Sequence, residues 1–252
     1  MRLRCAPTTP TRHPGATLPP VVPLHDMAPA MTTSPKVPEL CAGDVLTRDE
    51  FERRYAAMPG LKKAELIEGV VYMPSPVRYT QHGNPHFLLS RWLGSYCDAT
   101  PGVDGASDAT VRLDLENEPQ PDLMLRITGS RGSSRIDADG YLQGPPELVV
   151  EVAASSVSYD LHHKLAAYRR NGVAEYLVLR TEDAAVDWFV LRRGAYERQV
   201  ADDAGLLRSE RFAGLWLDTA ALLRGDAAAL RAAVERGLAD PMHAALVREL
   251  GG

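Results

Sequence analysis

Residues 147–153 read Glu-Leu-Val-Val-Glu-Val-Ala, and some thirty residues upstream the chain reads Gln120-Pro121-Asp122, followed by Leu-Met-Leu-Arg-Ile to residue 127. The first run is apolar except for Glu151 and is bounded by Gly144-Pro145-Pro146 and Ser155-Ser156. Such a run reads as a buried central strand. A carboxylate inside a buried strand is costly unless it is paired or holds a metal. Asp122 opens the second run, which also reads as a strand. If the two strands are neighbours, two carboxylates project into one cleft, a donor set suited to a hard cation and to phosphate chemistry.

Outward from this pair, composition narrows the possibilities. The chain has 252 residues, 45% of them hydrophobic, which is enough for one sizeable core. Formal net charge is -5, so bulk positive charge does not bring this protein to nucleic acid. Cys5, Cys41 and Cys97 show no metal-ligand spacing and no even framework, which points to a reducing, cytoplasmic setting. No apolar run approaches the ~20 residues that span a bilayer, so no membrane association is expected.

Nine of the 19 prolines lie before residue 39, in a Pro/Thr/Ala-rich stretch without hydrophobic periodicity. Residues 1–43 are therefore expected to be a disordered tail, and Met27 or Met31 is a candidate for the true start. Residues 44–225 are expected to form the main domain and 226–252 a C-terminal helical extension. Order is expected from near Leu46. Thr47 and Glu50 form a capping-box pattern that opens a helix to about Ala57. Glu68-Gly69 reads as the tight turn of a hairpin over residues 64–76. A helix runs from Thr80 to Cys97 with His82 in its first turn. A strand is expected over 109–115, and a Gly/Ser/Arg-rich loop with a mobile tip over 129–144. Asp160 starts a helix that Asn171-Gly172 ends, with Leu161, Leu165 and Tyr168 as its core stripe. Strands follow at 175–179, 186–191 and 195–200, and helices from Leu215 onward. The natural packing of this order is an α/β (α+β) domain with a central mixed sheet flanked by helices.

Taken in order, ELIEGVVYMPSP, His82 on the next helix, PDLML, ELVVEVA, Asp160 with Lys164 and Tyr168, and NGVAEYLVL resemble the Uma-type putative restriction endonuclease family. Its fold is the PD-(D/E)XK, restriction-endonuclease-like one. The resemblance covers about residues 46–223. It implies a four- or five-stranded mixed sheet and metal-dependent endonucleolytic hydrolysis of nucleic acid, DNA first, with Mg²⁺ (or Mn²⁺) as cofactor. It makes Asp122 the Asp of the motif and Glu151 its second acid. The usual lysine is replaced by Ala153, and Lys164 of the following helix matches the residue that supplies it in this family. Two further departures are Ala153-Ala154-Ser155-Ser156, where the family usually has Ser-Pro after the strand, and Arg180 in place of an Asp at the end of the EY strand.

The expected metal ligands are Asp122, Glu151 and the backbone carbonyl of Val152. Lys164 is expected to hold the attacking water or offset developing negative charge. Glu65 is a candidate further ligand or base, and His82 a candidate proton shuttle or substrate orienter. Arg131 and Arg135 are candidate phosphate contacts. A homodimer would let one site per chain cut both strands. The rival reading is a catalytically inactive nuclease-fold module that binds nucleic acid or protein.

Overall fold

The computed structural model describes residues 36–251, and from residue 37 on these cluster as one unit. The expected tail and alternative start fall, up to residue 35, outside the described residues. Order begins earlier than Leu46. Leu40 is buried, and the Gly43 and Leu46 amides donate to the carbonyls of Val71 and Gly69.

Helix α1 (Arg48–Ala56) buries Phe51. Thr47 is its N-cap but makes no side-chain capping bond, and the Glu50 side chain is engaged by Arg53 and Arg54. The hairpin β1 (Glu65–Ile67) and β2 (Val70–Tyr72) turns through Glu68 (φ 55°) and Gly69 (φ 73°). Positive φ at both central residues is the signature of a type I′ turn. A π-helical turn (Tyr79–Gly83) leads into α2 (Asn84–Asp98), whose Leu88, Leu89, Trp92, Leu93 and Tyr96 are buried at helical spacing.

The expected strand at 109–115 is reduced to the short β4 (Val111–Arg112), and a strand that the sequence did not show, β3 (Val103–Ser107), precedes it. Then comes β5 (Leu123–Ile127). The expected mobile loop is partly strand: β6 (Arg135–Ile136) and β7 (Leu142–Gln143) pair with each other, and β7 pairs with β4. Next come β8 (Leu148–Ala153), α3 (Val157–Tyr159), a second π-helical turn (Asp160–Lys164) and α4 (Leu165–Asn171). They are followed by β9 (Glu175–Arg180), β10 (Ala185–Arg192) and β11 (Ala195–Arg198). β12 (Leu206–Arg208) follows, and the stretch expected to be helical from Leu215 opens with a strand, β13 (Trp216–Asp218), before α5 (Thr219–Arg224), α6 (Ala227–Leu238) and α7 (Pro241–Leu250).

The central sheet has six strands in the order β11-β10-β9-β8-β5-β3. Only β8 and β9 run parallel; the other neighbours are antiparallel. Leu148, Val150 and Val152 face α2, α5 and α6, while Val149 and Ala153 face the helical segment carrying Tyr168. This alternation is the period-two rule of a strand buried on both sides.

The C-terminal helices belong to this core. Leu230 and Val234 of α6 join the cluster built on α2. Gly237 of α6 lies against Gly214 so closely that a Cβ on Gly237 would meet the Gly214 carbonyl oxygen at 2.1 Å. Residue 226 is therefore not a packing boundary.

Glu175, at the start of β9, is a structural carboxylate. It accepts from Trp188 Nε1, Ser209 Oγ and the amides of Glu210 and Arg211. Glu175→Ala would strand four donors, two of them fully buried, and the expected loss is about 3–5 kcal/mol in a urea unfolding measurement. A loss below about 1 kcal/mol would show that water replaces the carboxylate.

Candidate active site

The sheet register creates the site. The β5–β8 ladder pairs Leu148, Val150 and their partners and stops at Leu123↔Val150, while β8 continues alongside β9 to Ala153. Carbonyls of Glu147 and Ala153 accept from β9-side amides, Glu175 N and Thr181 N. Odd-numbered residues of β8 thus point their main chain toward β9, and even-numbered ones toward β5. Past Val150 there is no β5 residue left to pair. Asp122, just before β5, takes the vacant ladder position with its side chain: Val152 N–H donates to Asp122 Oδ2 at 2.8 Å. A residue's N–H and C=O share one edge of a strand, so the Val152 carbonyl faces the same gap.

Glu151 stands one residue earlier on the face covered by α4. Lys164 Nζ and Tyr168 OH, one helical turn apart, both donate to Glu151 Oε1, at 2.9 and 3.0 Å. Lys164 Nζ also lies 3.0 Å from Glu65 Oε1 and 3.9 Å from Asp160 Oδ1. Glu65 Oε1 accepts from the Gln120 amide at 2.7 Å. The Asp122 amide approaches Glu151 Oε2 at 3.4 Å, and His82 Nε2 donates to Asp122 Oδ2 at 3.0 Å. The structure therefore brings Glu65, His82, Asp122, Glu151, Val152 and Lys164 together. Two of them, His82 and Lys164, ride on the two π-helical turns, a local widening that often marks functional positions.

Arg131 and Arg135 do not join the cluster. Arg131 pairs with Glu249, and Arg135 donates to Gln143. The motif departures are absorbed locally. Ala153 packs with Val149, Tyr168 and Tyr176, so the lysine reaches Glu151 from the covering helix rather than from the strand. Arg180 pairs with Asp187 and Asp183 at the strand end.

Sequence reasoning missed three contributors. The hydroxyl of Tyr168, read as core, is a ligand of Glu151. His86 Nε2 donates to the Asp122 carbonyl at 3.0 Å and stacks on His82; the His82/His86 spacing of four was the available signal. Lys63 Nζ lies 2.8 Å from Asp108 Oδ1 and 3.7 Å from Asp122 Oδ1.

Four buried carboxylates thus surround one buried ammonium, Lys164. Burial pushes the Glu151 carboxyl up to about 8, with Lys164 pulling against it and Asp122, Asp160 and Glu65 pushing the same way. Burial also raises Asp160, against Lys164 and the Ser156 hydroxyl. Asp122 goes the other way. Its burial is outweighed by the His82 hydrogen bond and charge, by Lys164 and by the Val152 amide, and it is held down to about 2. Lys164 is pushed down by burial but carried well above its usual range by Glu151, Glu65 and Asp160. It remains an ammonium and acts as a counter-ion, not as a base.

The donor set fits a small hard cation. Among the described residues no group of three or more His, Cys, Asp or Glu side chains is placed to hold a metal. Magnesium needs fewer protein ligands, since it keeps several waters and binds through one or two carboxylates plus substrate phosphate. Asp122, Glu151 and the Val152 carbonyl meet that requirement, and the surplus of carboxylate over ammonium favours an added dication.

A separate cavity of about 680 Å³ lies beyond Gln120, lined in part by Glu52, Met58, Arg112, Glu118 and Tyr141. Glu118 there is pushed up to about 9 by burial and by the adjacent Glu52.

Comparison with known proteins bears on the family and the fold. The model of the Uma2 family, described as "Putative restriction endonuclease", matches residues 48–220. A solved structure described as a putative nuclease belonging to DUF820, from Anabaena variabilis, is similar in fold. Its TM-score is 0.55 at 16% identity, covering 71% of this chain and 98% of that one. No curated protein matches the chain. Among the described residues no helix is long and apolar enough to cross a membrane.

Proposed function

The chain belongs to the Uma2 putative restriction endonuclease family, and on that footing we propose a magnesium-dependent endonuclease that hydrolyses phosphodiester bonds in DNA. The observation that carries the proposal is the end of the β5–β8 ladder. It leaves Asp122, Glu151 and the Val152 carbonyl around one gap, with Lys164 behind them.

Asp122, Glu151 and Val152 would hold the cation. Bound there, it would polarise the scissile phosphate and lower the pKa of a water. The chain's own residues do the rest. Lys164 and Tyr168 fix the orientation of Glu151 through one oxygen, leaving Oε2 turned toward Asp122. Glu65 is tied to Lys164 and to the Gln120 amide, so it positions the lysine and the Pro121-Asp122 segment. His82 places an N–H on Asp122 at the edge of the site. The bond to Asp122 favours the imidazolium form of His82, which can pass one proton to a leaving oxygen and become neutral imidazole. A reducing, cytoplasmic setting and a homodimer that cuts both strands are part of the same proposal.

The rival, a binding module without turnover, is favoured by one observation: Lys164 is occupied by carboxylates in this structure. Incubation of the protein with supercoiled DNA, single-stranded DNA and RNA separates the two. The expected result is cleavage of DNA with Mg²⁺ or Mn²⁺ that EDTA stops and added metal restores. Binding without cleavage of any substrate, across both metals, would overturn catalysis and leave the binding module. Cleavage that EDTA does not touch would overturn the cation.

A further inference from the structure

Within the carboxylate cluster, exposure is divided sharply. The side chain of Lys164 is 5% exposed and that of Glu151 4%. Lys63 and His82 are 24% and 25% exposed. An incoming phosphodiester meets the second pair first. It also meets a site with surplus carboxylate, so it needs an accessible cation that can change partners.

We propose that Lys63 is the residue that binds the backbone phosphate of the substrate at the mouth of this site, while Lys164 stays behind as counter-ion. This rests on the nuclease reading and deepens it. Lys63 precedes β1 by two residues and carries its ammonium to within 3.7 Å of Asp122 Oδ1. Its close partner is Asp108, 56% exposed, at 2.8 Å. Asp108 sits at a left-handed φ of 51°, and its amide points at the Pro121 and Asp122 carbonyls at 3.2 and 3.3 Å. The Lys63 partner is thus fastened to the segment that carries Asp122.

Asp108 reaches solvent and this ion pair is only partly buried, so water and salt weaken it and exchanging Asp108 for a phosphate oxygen costs little. Lys164 has no such freedom. Withdrawing it would leave Glu151, Glu65 and Asp160 without their shared counter-ion, and breaking a buried pair is strongly unfavourable. Lys63 remains an ammonium: burial lowers its pKa, but Asp108, Glu65 and Asp122 raise it further. Arg131 and Arg135, the sequence candidates for phosphate, lie outside the carboxylate cluster, beside Glu249 and Gln143.

The test is binding of a fluorescent DNA oligonucleotide in Ca²⁺, a hard cation larger than magnesium, to wild type, Lys63→Ala and Lys63→Arg. Oligonucleotides carrying one uncharged methylphosphonate at each position in turn are included. Lys63→Ala is expected to lose about tenfold in affinity, as for one charge-assisted contact, and to reduce the salt slope by about one. One methylphosphonate position should weaken wild type and leave Lys63→Ala unchanged, and Lys63→Arg should restore most of the affinity. Equal binding by Lys63→Ala, or equal weakening of both proteins at every position, overturns the assignment and leaves the nuclease reading standing. Failure of wild type to bind any nucleic acid would overturn both.

Discussion

Lys164→Met is expected to destabilise the protein by about 3–5 kcal/mol, the scale seen when one partner of a buried ion pair is removed. Methionine keeps the length and much of the volume of the lysine, so lost packing is a small part of the effect. The large part is electrostatic. Lys164 Nζ sits within 3.0 Å of both Glu65 and Glu151 and 3.9 Å from Asp160. All of these side chains are buried. Without the ammonium, these carboxyls must take up protons or let water in. The loss should therefore shrink as pH falls and the carboxyls are neutralised. It should also be partly recovered by a second change, Glu151→Gln, because the two residues act on each other and their effects are not additive. Urea unfolding of the single and double variants reads this directly. A single variant within about 1 kcal/mol of wild type, or a double variant that simply adds both losses, would show that the cluster does not depend on Lys164.

The second large effect is on catalysis. Glu151→Ala is expected to lower cleavage on the order of 10³-fold or more, since it removes an oxygen ligand of the cation at the position where charge develops. The same change removes the acceptor shared by Lys164 and Tyr168, so the loss in rate must be read beside the unfolding curve. The expected pattern is a variant that remains folded and inactive. Relief of carboxylate crowding offsets part of the cost of the empty space, because Asp122, Asp160 and Glu65 all push against the Glu151 charge. An unfolded variant would leave Glu151→Gln, which keeps the volume, as the version to assay.

Asp122 and Glu151 were legible because a charge in an apolar run demands an explanation, and two such runs side by side give the same one. The family resemblance supplied Lys164, because its motif fixes the helix that follows β8. Lys63 was not legible: in Lys62-Lys63-Ala64-Glu65 a pair of lysines reads as a solvated approach to a strand. Only the tertiary path brings Asp108 and Asp122 to it. Tyr168 was hidden in the opposite way. Its ring belongs to the apolar stripe, and nothing in the spacing shows that its hydroxyl ends on Glu151. The placing of the arginines of the 129–144 stretch was not legible: Arg135 lies on a strand of two residues, too short to show a pattern, and Arg131 on a single turn. β3 escaped for a related reason: of its residues only Val103 is buried, so an edge strand shows no alternation. The Thr47–Glu50 pattern marked the helix start, but Thr47 makes no side-chain capping bond and the Glu50 side chain is engaged by Arg53 and Arg54.

The central claim is that one cation, held by Asp122 and Glu151, makes this site a nuclease. The most direct measurement follows manganese binding by electron paramagnetic resonance and DNA nicking in the same samples, wild type beside Glu151→Ala. The predicted result is a bound manganese ion in wild type whose appearance tracks nicking, with both lost in the folded variant. Nicking that survives in Glu151→Ala, or manganese that still binds there while nicking is unchanged, would contradict it.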